Sequence, residues 1–138
     1  MLFRSRALAS CPIGMTAHVV FPAWDAERPA TLSPRVIADV IRGRIGFDGL
    51  LLTDDLDMQA LQGSVPELAA EAIAAGCDIA LNCWAKMDDM VGIAKALPTT
   101  SERTRQRLDR ALAGTRVGAP ESDRAHLIAK RDTLLSLV

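Results

Sequence analysis

Three short apolar runs without polar alternation mark the predicted strands. They cover residues 13–21, 50–52 and 77–83, and the first is rich in β-branched side chains. A strand exposed on one face alternates apolar with polar residues, whereas a strand buried on both faces is continuously apolar. The runs therefore predict a parallel sheet covered by helices, an α/β fold. Three strands leave two open edges, so the pattern predicts part of a larger sheet.

Helical spacing of apolar residues follows each run. The predicted helices cover residues 33–45, 64–75, 87–97, 102–113 and 121–137. The first has a strong start, because the hydroxyl of Ser33 can cap free N–H groups and Pro34 suits the first turn. Gly46 and Gly76 are expected to end the first two helices.

Three further segments carry weaker patterns. The first ten residues have helical spacing of apolar side chains, and residues 22–32, bracketed by prolines, are predicted to form a loop. The final segment is amphipathic, and we expect it to pack against the rest of the domain through Leu127, Ile128, Leu134 and Leu135.

A cluster of carboxylates follows the central apolar run. Asp54, Asp55 and Asp57 lie within four residues, and the first of them is two residues after Leu52. Parallel α/β proteins place ligands and catalytic groups at the carboxyl ends of strands. Mutual repulsion among three acids is a cost that structure alone rarely needs, so the cluster predicts a functional site. The alternative for Asp54 is a solvated acid that caps the next turn. Asp55 and Asp57 are interpreted as partners of nearby loop or helix N–H groups.

Composition narrows the function classes. The 138 residues fit one domain, and 16 basic against 17 acidic side chains give a net charge of −1, which offers no case for nucleic acid or an anionic membrane surface. No apolar run approaches the roughly 18–20 residues of a membrane helix. Arg4 and Arg6 interrupt any signal-peptide core, so we predict a cytoplasmic setting. The three cysteines, at 11, 77 and 83, are predicted to be reduced, buried thiols and no metal site is expected.

Five pieces of the chain, taken in order, resemble one enzyme family. They are GMTAHV at 14–19, PATLS at 29–33, GFDG at 46–49, TDDLDM at 53–58 and AGCD at 75–78. Together they resemble the bacterial β-N-acetylhexosaminidases of glycoside hydrolase family 3, of the cell-wall recycling type. The resemblance covers residues 9–97.

The resemblance implies a (β/α)8 TIM barrel, of which this chain would be a C-terminal fragment holding about three parallel strands. Strands six, seven and eight would lie at 15–20, 50–54 and 78–81. Residues 1–97 would supply the barrel units with their covering helices, and 98–138 a C-terminal helical extension. A barrel needs about 250 residues, so this chain cannot close one alone.

Within that family the first aspartate of the matching motif is the catalytic nucleophile, and Asp54 occupies its position after Thr53, where serine is common. The resemblance thus implies retaining hydrolysis that releases terminal β-linked N-acetylglucosamine from peptidoglycan-derived fragments, without a cofactor. The family's proton donor is a His–Asp pair on an earlier loop, and no segment here matches it. We therefore expect the isolated chain to be inactive, with the missing N-terminal barrel portion as its partner.

Four further residues of the chain have predicted roles. His18 is predicted to be a structural or sugar-contacting residue and not the missing acid. Trp24 is either a sugar-stacking platform or a packing residue. Met58, at the end of the matching motif, is a predicted substrate contact. His126, among basic residues of the last helix, is predicted to lie at the surface.

Two other function classes remain open. Residues 50–57 also resemble the opening motif of haloacid dehalogenase-like phosphatases, in which paired acids hold Mg²⁺. Gln59 and the lack of later Lys and Asp-Asp motifs weigh against it. The other alternative is a barrel fragment without catalysis, recognised by the absence of hydrolysis of an aryl N-acetyl-β-glucosaminide.

Overall fold

The computed structural model describes residues 9–97, 99–113 and 121–136. Its strands are β1 (Ile13–Met15), β2 (Val20–Phe21), β3 (Asp25–Pro29) and β4 (Leu50–Leu52). A 3-10 turn covers Ala30–Leu32, and the helices are α1 (Val36–Ile45), α2 (Val65–Ala75), α3 (Met87–Ala96), α4 (Glu102–Ala113) and α5 (Glu121–Leu135). Hydrogen bonds of α1 have the wide π-type spacing.

The predicted parallel pairing is confirmed for the first two apolar runs. β1 and β4 run parallel, with Ile13 opposite Leu50 and Met15 opposite Leu52. β1 is much shorter than the predicted run of residues 13–21, because the chain leaves the sheet after Met15. Leu52 also makes an isolated parallel bridge to Ile79. The β4 strand therefore lies between β1 and the segment around Ile79.

The prediction of a full third strand at 77–83 is wrong, because side chains take the places of ladder carbonyls. The carboxylate of Asp78 accepts the N–H of Leu51 at 2.9 Å, and the Thr53 hydroxyl accepts the N–H of Leu81 at 2.8 Å. Only the backbone hydrogen bonds around Ile79 keep the ladder pattern. The N–H of Ile79 donates to the carbonyl of Leu51, and the N–H of Thr53 donates to the carbonyl of Ile79.

The prediction of a loop at 22–32 is also wrong. β2 and β3 form an antiparallel hairpin with a register shift, and the 3-10 turn follows. Asp25 fastens this hairpin to the start of α1, because one carboxylate oxygen accepts the hydroxyl of Ser33 at 2.6 Å. That hydrogen bond holds the pKa of Asp25 below its ordinary value.

The helix starts and stops follow the predicted local signals. The Ser33 hydroxyl accepts the N–H of Val36 at 3.1 Å, and Gly46 ends α1 with φ 79°. In α2, Ser64 and Glu67 form a capping box, and Gly76 follows the helix with φ 115°. These left-handed positions favour glycine, since a Cβ would be strained there.

Two apolar clusters hold the sheet against the helices. One joins α1, β4 and α2 through Ile37, Phe47, Leu51, Ala72, Ala75 and Cys77. The other cluster lies between the acidic segment (residues 53–58), α2 and α3. It contains Leu56, Leu61, Val65, Leu68 and Ala69. The residues on both sides of Asp54 in the chain are therefore held by packed structure.

The predicted packing of the last helix is wrong. Leu127, Ile128, Leu134 and Leu135 of α5 are 40–66% exposed. The predicted helix over the first ten residues lies mostly outside the described residues; Ala9 and Ser10 form a turn. No helix in the described part of the chain is both long and apolar enough to span a bilayer.

Only one cysteine fits the expectation of a buried thiol. Cys77 is buried and its thiol donates to the carbonyl of Thr31 at 3.8 Å, whereas Cys11 is half-buried and Cys83 is exposed. All three are free. Burial raises the pKa of Cys77 to about 12, so the reactive thiolate is scarce at neutral pH.

The three thiols should therefore alkylate in a fixed order. We expect iodoacetamide to modify Cys77 last, at least about 100-fold slower than the exposed Cys83, because Cys77 needs both opening and deprotonation. Peptide mass spectrometry over a native time course measures this order, and the denatured chain, in which burial is lost, is the control. Equal native rates at Cys77 and Cys83 would contradict the described packing.

Candidate active site

Thr53 fixes the point at which the acidic segment leaves the sheet. It is fully buried; its N–H donates to the carbonyl of Ile79 at 3.0 Å, and its hydroxyl accepts from Leu81. Three residues later, buried Leu56 donates its N–H to the carbonyl of Leu81 at 3.0 Å. The intervening Asp54 and Asp55 are thus held at both ends, at the carboxyl edge of the sheet.

Asp54 is half-buried, with a carboxylate that keeps one side open. Its Oδ1 accepts the N–H of Asp55 at 2.9 Å. Among the residues that the structure describes, no other group bonds to this carboxylate. Asp54 therefore combines a fixed backbone with an oxygen that is available to a ligand.

Asp55 has a structural role, as predicted from its position. Its Oδ1 accepts the N–H of Cys83 at 3.0 Å and that of Asp57 at 3.3 Å. The bond from Cys83 holds the pKa of Asp55 below its ordinary value, because the N–H stabilises the ionised carboxylate. Asp57 instead pairs with the ammonium group of Lys86 at 3.2 Å, a bridge at the surface.

His18 joins the end of β1 to the acidic segment. Its Nε2 lies 2.9 Å from the carbonyl oxygen of Asp55, and its Nδ1 lies 2.9 Å from the hydroxyl of Thr31. A carbonyl can only accept, so Nε2 carries a hydrogen and donates it. In the neutral ring Nδ1 then accepts from Thr31, whose oxygen lies 2.9 Å from that of Thr16.

Both threonines of this chain of hydrogen bonds are buried. The two ring nitrogens of His18 thus have protein partners and position the backbone of Asp55. Sequence reasoning missed Thr16, Thr31 and the role of Thr53, since their partners are distant in the chain.

The remaining predicted site residues lie apart from one another. Met58 is 45% exposed, and its N–H donates to the carbonyl of Asp55 at 3.3 Å. Trp24 packs on Phe21 with ring centroids 5.5 Å apart, and within the described residues no hydrogen bond, ion pair or ring contact links it to Asp54. His126 is exposed on α5, as predicted.

The opposite edge of the sheet carries an ion-pair network. The buried carboxylate of Asp78 pairs with Arg42 at 2.7 Å and with Arg107 at 3.0 Å, and Arg107 reaches Asp48 at 2.8 Å. Asp48 lies two residues before β4, and Asp78 lies directly before Ile79. Both are therefore at the amino ends of the paired segments. This network therefore fastens α4 at the edge away from Asp54, where parallel α/β proteins place stabilising groups.

Comparison with known proteins decides the family. The family described as "Glycosyl hydrolase family 3 N terminal domain" matches residues 4–114. This chain belongs to glycoside hydrolase family 3. The N-terminal domain of that family has a TIM-barrel-type fold. The match overturns the phosphatase alternative, because it assigns the acidic motif to a glycosidase family.

Several similar proteins are named beta-hexosaminidase or β-N-acetylglucosaminidase. A beta-hexosaminidase of Chromobacterium violaceum is 38% identical over 120 residues, which cover 86% of this chain and 32% of that protein. A family 3 β-N-acetylglucosaminidase structure from Paenibacillus sp. has a TM-score of 0.62 and 34% identity, covering 79% of this chain and 23% of that one. The β-N-acetylglucosaminidase of Thermotoga maritima has a TM-score of 0.55 and 30% identity over 73% of this chain and 24% of its own. The chain thus spans about a third or less of these relatives' lengths.

Proposed function

We propose that this chain supplies the nucleophile of a retaining β-N-acetylhexosaminidase. The observation that carries the proposal is Asp54, a half-open carboxylate at the carboxyl end of β4 in a glycosidase family. In this proposal β1, β4 and the segment around Ile79 are strands six, seven and eight of the barrel.

The chemistry needs two steps. One oxygen of Asp54 attacks the anomeric carbon while the glycosidic C–O bond breaks, and a proton donor protonates the leaving oxygen. Water then attacks the same carbon, a base takes its proton, and the ester bond to Asp54 breaks. Relatives named beta-hexosaminidase and β-N-acetylglucosaminidase support N-acetylglucosaminides as the substrate class. Peptidoglycan-derived fragments and a cytoplasmic setting rest on the resemblance alone.

The proton donor is proposed to lie outside this chain. His18 has both ring nitrogens engaged, and Asp57 pairs with Lys86. Neither ring nitrogen of His18 is therefore free to act as acid and base. In this proposal His18 positions Asp55 next to the substrate and Met58 contacts the substrate at the rim, whereas Trp24, packed on Phe21, takes the packing role that the sequence left open.

The surfaces of the chain fit a partner that continues the barrel. Ile13 and Met15 of β1 are 49% and 55% exposed, and Met87 of α3 is 70% exposed. Within the described residues no strand pairs with the second edge of β1. Among the described residues, the buried side-chain amide nitrogen of Asn82 has no hydrogen-bond acceptor. An unsatisfied buried group of this kind costs about 1–3 kcal/mol of stability. The N-terminal portion of a barrel would supply a strand, apolar cover and an acceptor. In this proposal 1–97 contributes barrel units and 98–138 a helical extension.

Complementation tests this proposal. The 138-residue chain is assayed with an aryl N-acetyl-β-glucosaminide, alone and co-expressed with the part of the Chromobacterium violaceum enzyme that precedes the aligned region. We expect turnover only from the co-expressed pair, because only the pair holds both nucleophile and proton donor. Turnover by the chain alone at the level of a full-length relative would refute the need for a partner. A stable pair without turnover would instead favour the non-catalytic alternative.

A further inference from the structure

We propose that Trp84 is a stacking platform for a sugar ring next to Asp54. This inference deepens the proposed glycosidase function and rests on it for the nature of the ligand. Sequence reasoning did not select Trp84. Its indole is 72% exposed, the largest exposed fraction among the large hydrophobic side chains of the described residues.

The loop that carries Trp84 is tied to the acidic segment on both sides. The N–H of Cys83, the preceding residue, donates to the carboxylate of Asp55 at 3.0 Å. Lys86, two residues after Trp84, pairs with Asp57 at 3.2 Å. Asp55 directly follows Asp54 and Asp57 lies three residues after it, so these two contacts place the loop of Trp84 at the rim of the proposed site.

The same loop has a restricted backbone. Ala85 adopts φ 48°, a left-handed conformation that is uncommon for a residue with a Cβ. Its N–H donates to the side-chain oxygen of Asn82 at 3.4 Å. Strained residues persist where surrounding contacts determine them, and they are frequent at ligand sites. The exposed indole is therefore presented by a fixed loop.

The chemistry of an indole suits a carbohydrate ligand. One face of a β-linked pyranose carries axial C–H bonds and is apolar, while its rim carries hydroxyl groups. A flat aromatic ring offers matching apolar area and a negative π face, and the indole N–H can donate to a hydroxyl. The chain's other indole, Trp24, is already packed on Phe21, so Trp84 is the one presented for stacking.

A pair of single-tryptophan variants tests the inference without requiring turnover. Trp24→Phe leaves Trp84 as the only indole, and Trp84→Phe leaves Trp24 as the matched control. Each full-length variant is titrated with N,N′-diacetylchitobiose, with glycerol as the solvent control and circular dichroism as the folding control. We expect a saturable shift in emission from Trp84 with a dissociation constant of about 1–10 mM or tighter. We expect no saturable shift from Trp24.

Three outcomes would overturn the inference. The first is emission from Trp84 that stays unchanged up to about ten times that range. The second is an equal response from Trp24. The third is a Trp84 shift caused by the N-terminal barrel portion without sugar, since the indole would then be covered by protein. Trp84→Ala should weaken sugar binding, measured by calorimetry, by about tenfold or more. Failure of the pair to hydrolyse substrate would refute the proposed function and leave this binding result unaffected.

Discussion

Asp54→Asn is expected to lower kcat/KM of the assembled two-part enzyme at least about a thousandfold. An amide is a poor nucleophile toward the anomeric carbon, and the covalent route is lost. The fold should not change, because the amide oxygen can still accept the N–H of Asp55. Initial rates with an aryl N-acetyl-β-glucosaminide measure the loss, and denaturant unfolding measures the stability.

Asp57→Asn is the matched control, since it removes a nearby charge whose one ion pair within the described residues is with Lys86 at the surface. We expect it to change kcat/KM by less than about fivefold and stability by less than about 1 kcal/mol. A large loss in both variants would assign the effect to the charge of the whole segment. Retained turnover in Asp54→Asn would exclude Asp54 as the nucleophile.

The largest expected effect on stability comes from Asp78→Ala. This carboxylate accepts from Arg42, Arg107, the hydroxyl of Thr104 and the N–H of Leu51. Its removal leaves two cations facing each other in a partly buried setting, and such losses cost about 3–5 kcal/mol. The total stability of a domain is about 5–15 kcal/mol. Urea unfolding at neutral pH is expected to show a much lower midpoint or an unfolded chain.

The exposed pair of Arg131 and Asp132 gives the control for this substitution. Both side chains are more than half exposed, so Asp132→Ala should change the free energy of unfolding by less than about 0.5 kcal/mol. A comparable loss in the two variants would contradict the structural importance of the Asp78 network. A small loss at Asp78 alone would show that α4 is held by other contacts.

Local signals were sufficient to predict the helices and the parallel core. The capping hydroxyls of Ser33 and Ser64 and the glycines at 46 and 76 act on residues close in sequence, so their effects can be predicted from the chain alone. The continuous apolar run of β4 likewise reflects its burial. These features depend on period and on caps, and both are visible without tertiary structure.

Predictions failed where distant groups decide the outcome. The segment at 77–83 does not form a full strand, because the side chains of Asp78 and Thr53 bond to backbone groups about 27 residues away in the chain. The hairpin after β1 depends on Asp25 reaching Ser33. The exposure of α5 could not be predicted from its sequence, because an amphipathic pattern does not indicate what covers the apolar face.

The candidate site was predictable in part. Asp54 and Asp55 were selected from the sequence because acids so soon after a buried strand are unusual, and the catalytic role of Asp54 stays a prediction. The hydrogen bonds from Thr16 through Thr31 and His18 to the carbonyl of Asp55 were not, because they join three separate segments. The exposure of Trp84 also required the folded loop.

Trapping the covalent intermediate would show directly which residue is the nucleophile. A fluorinated N-acetylglucosaminide with a good leaving group slows the hydrolysis of the glycosyl-enzyme, because fluorine destabilises the cationic transition state. Incubation with the two-part enzyme, followed by digestion and mass spectrometry, locates the adduct. We predict one glycosyl group on Asp54 and none in the Asp54→Asn variant. An adduct on another residue, or continued turnover with no adduct at all, would contradict the account.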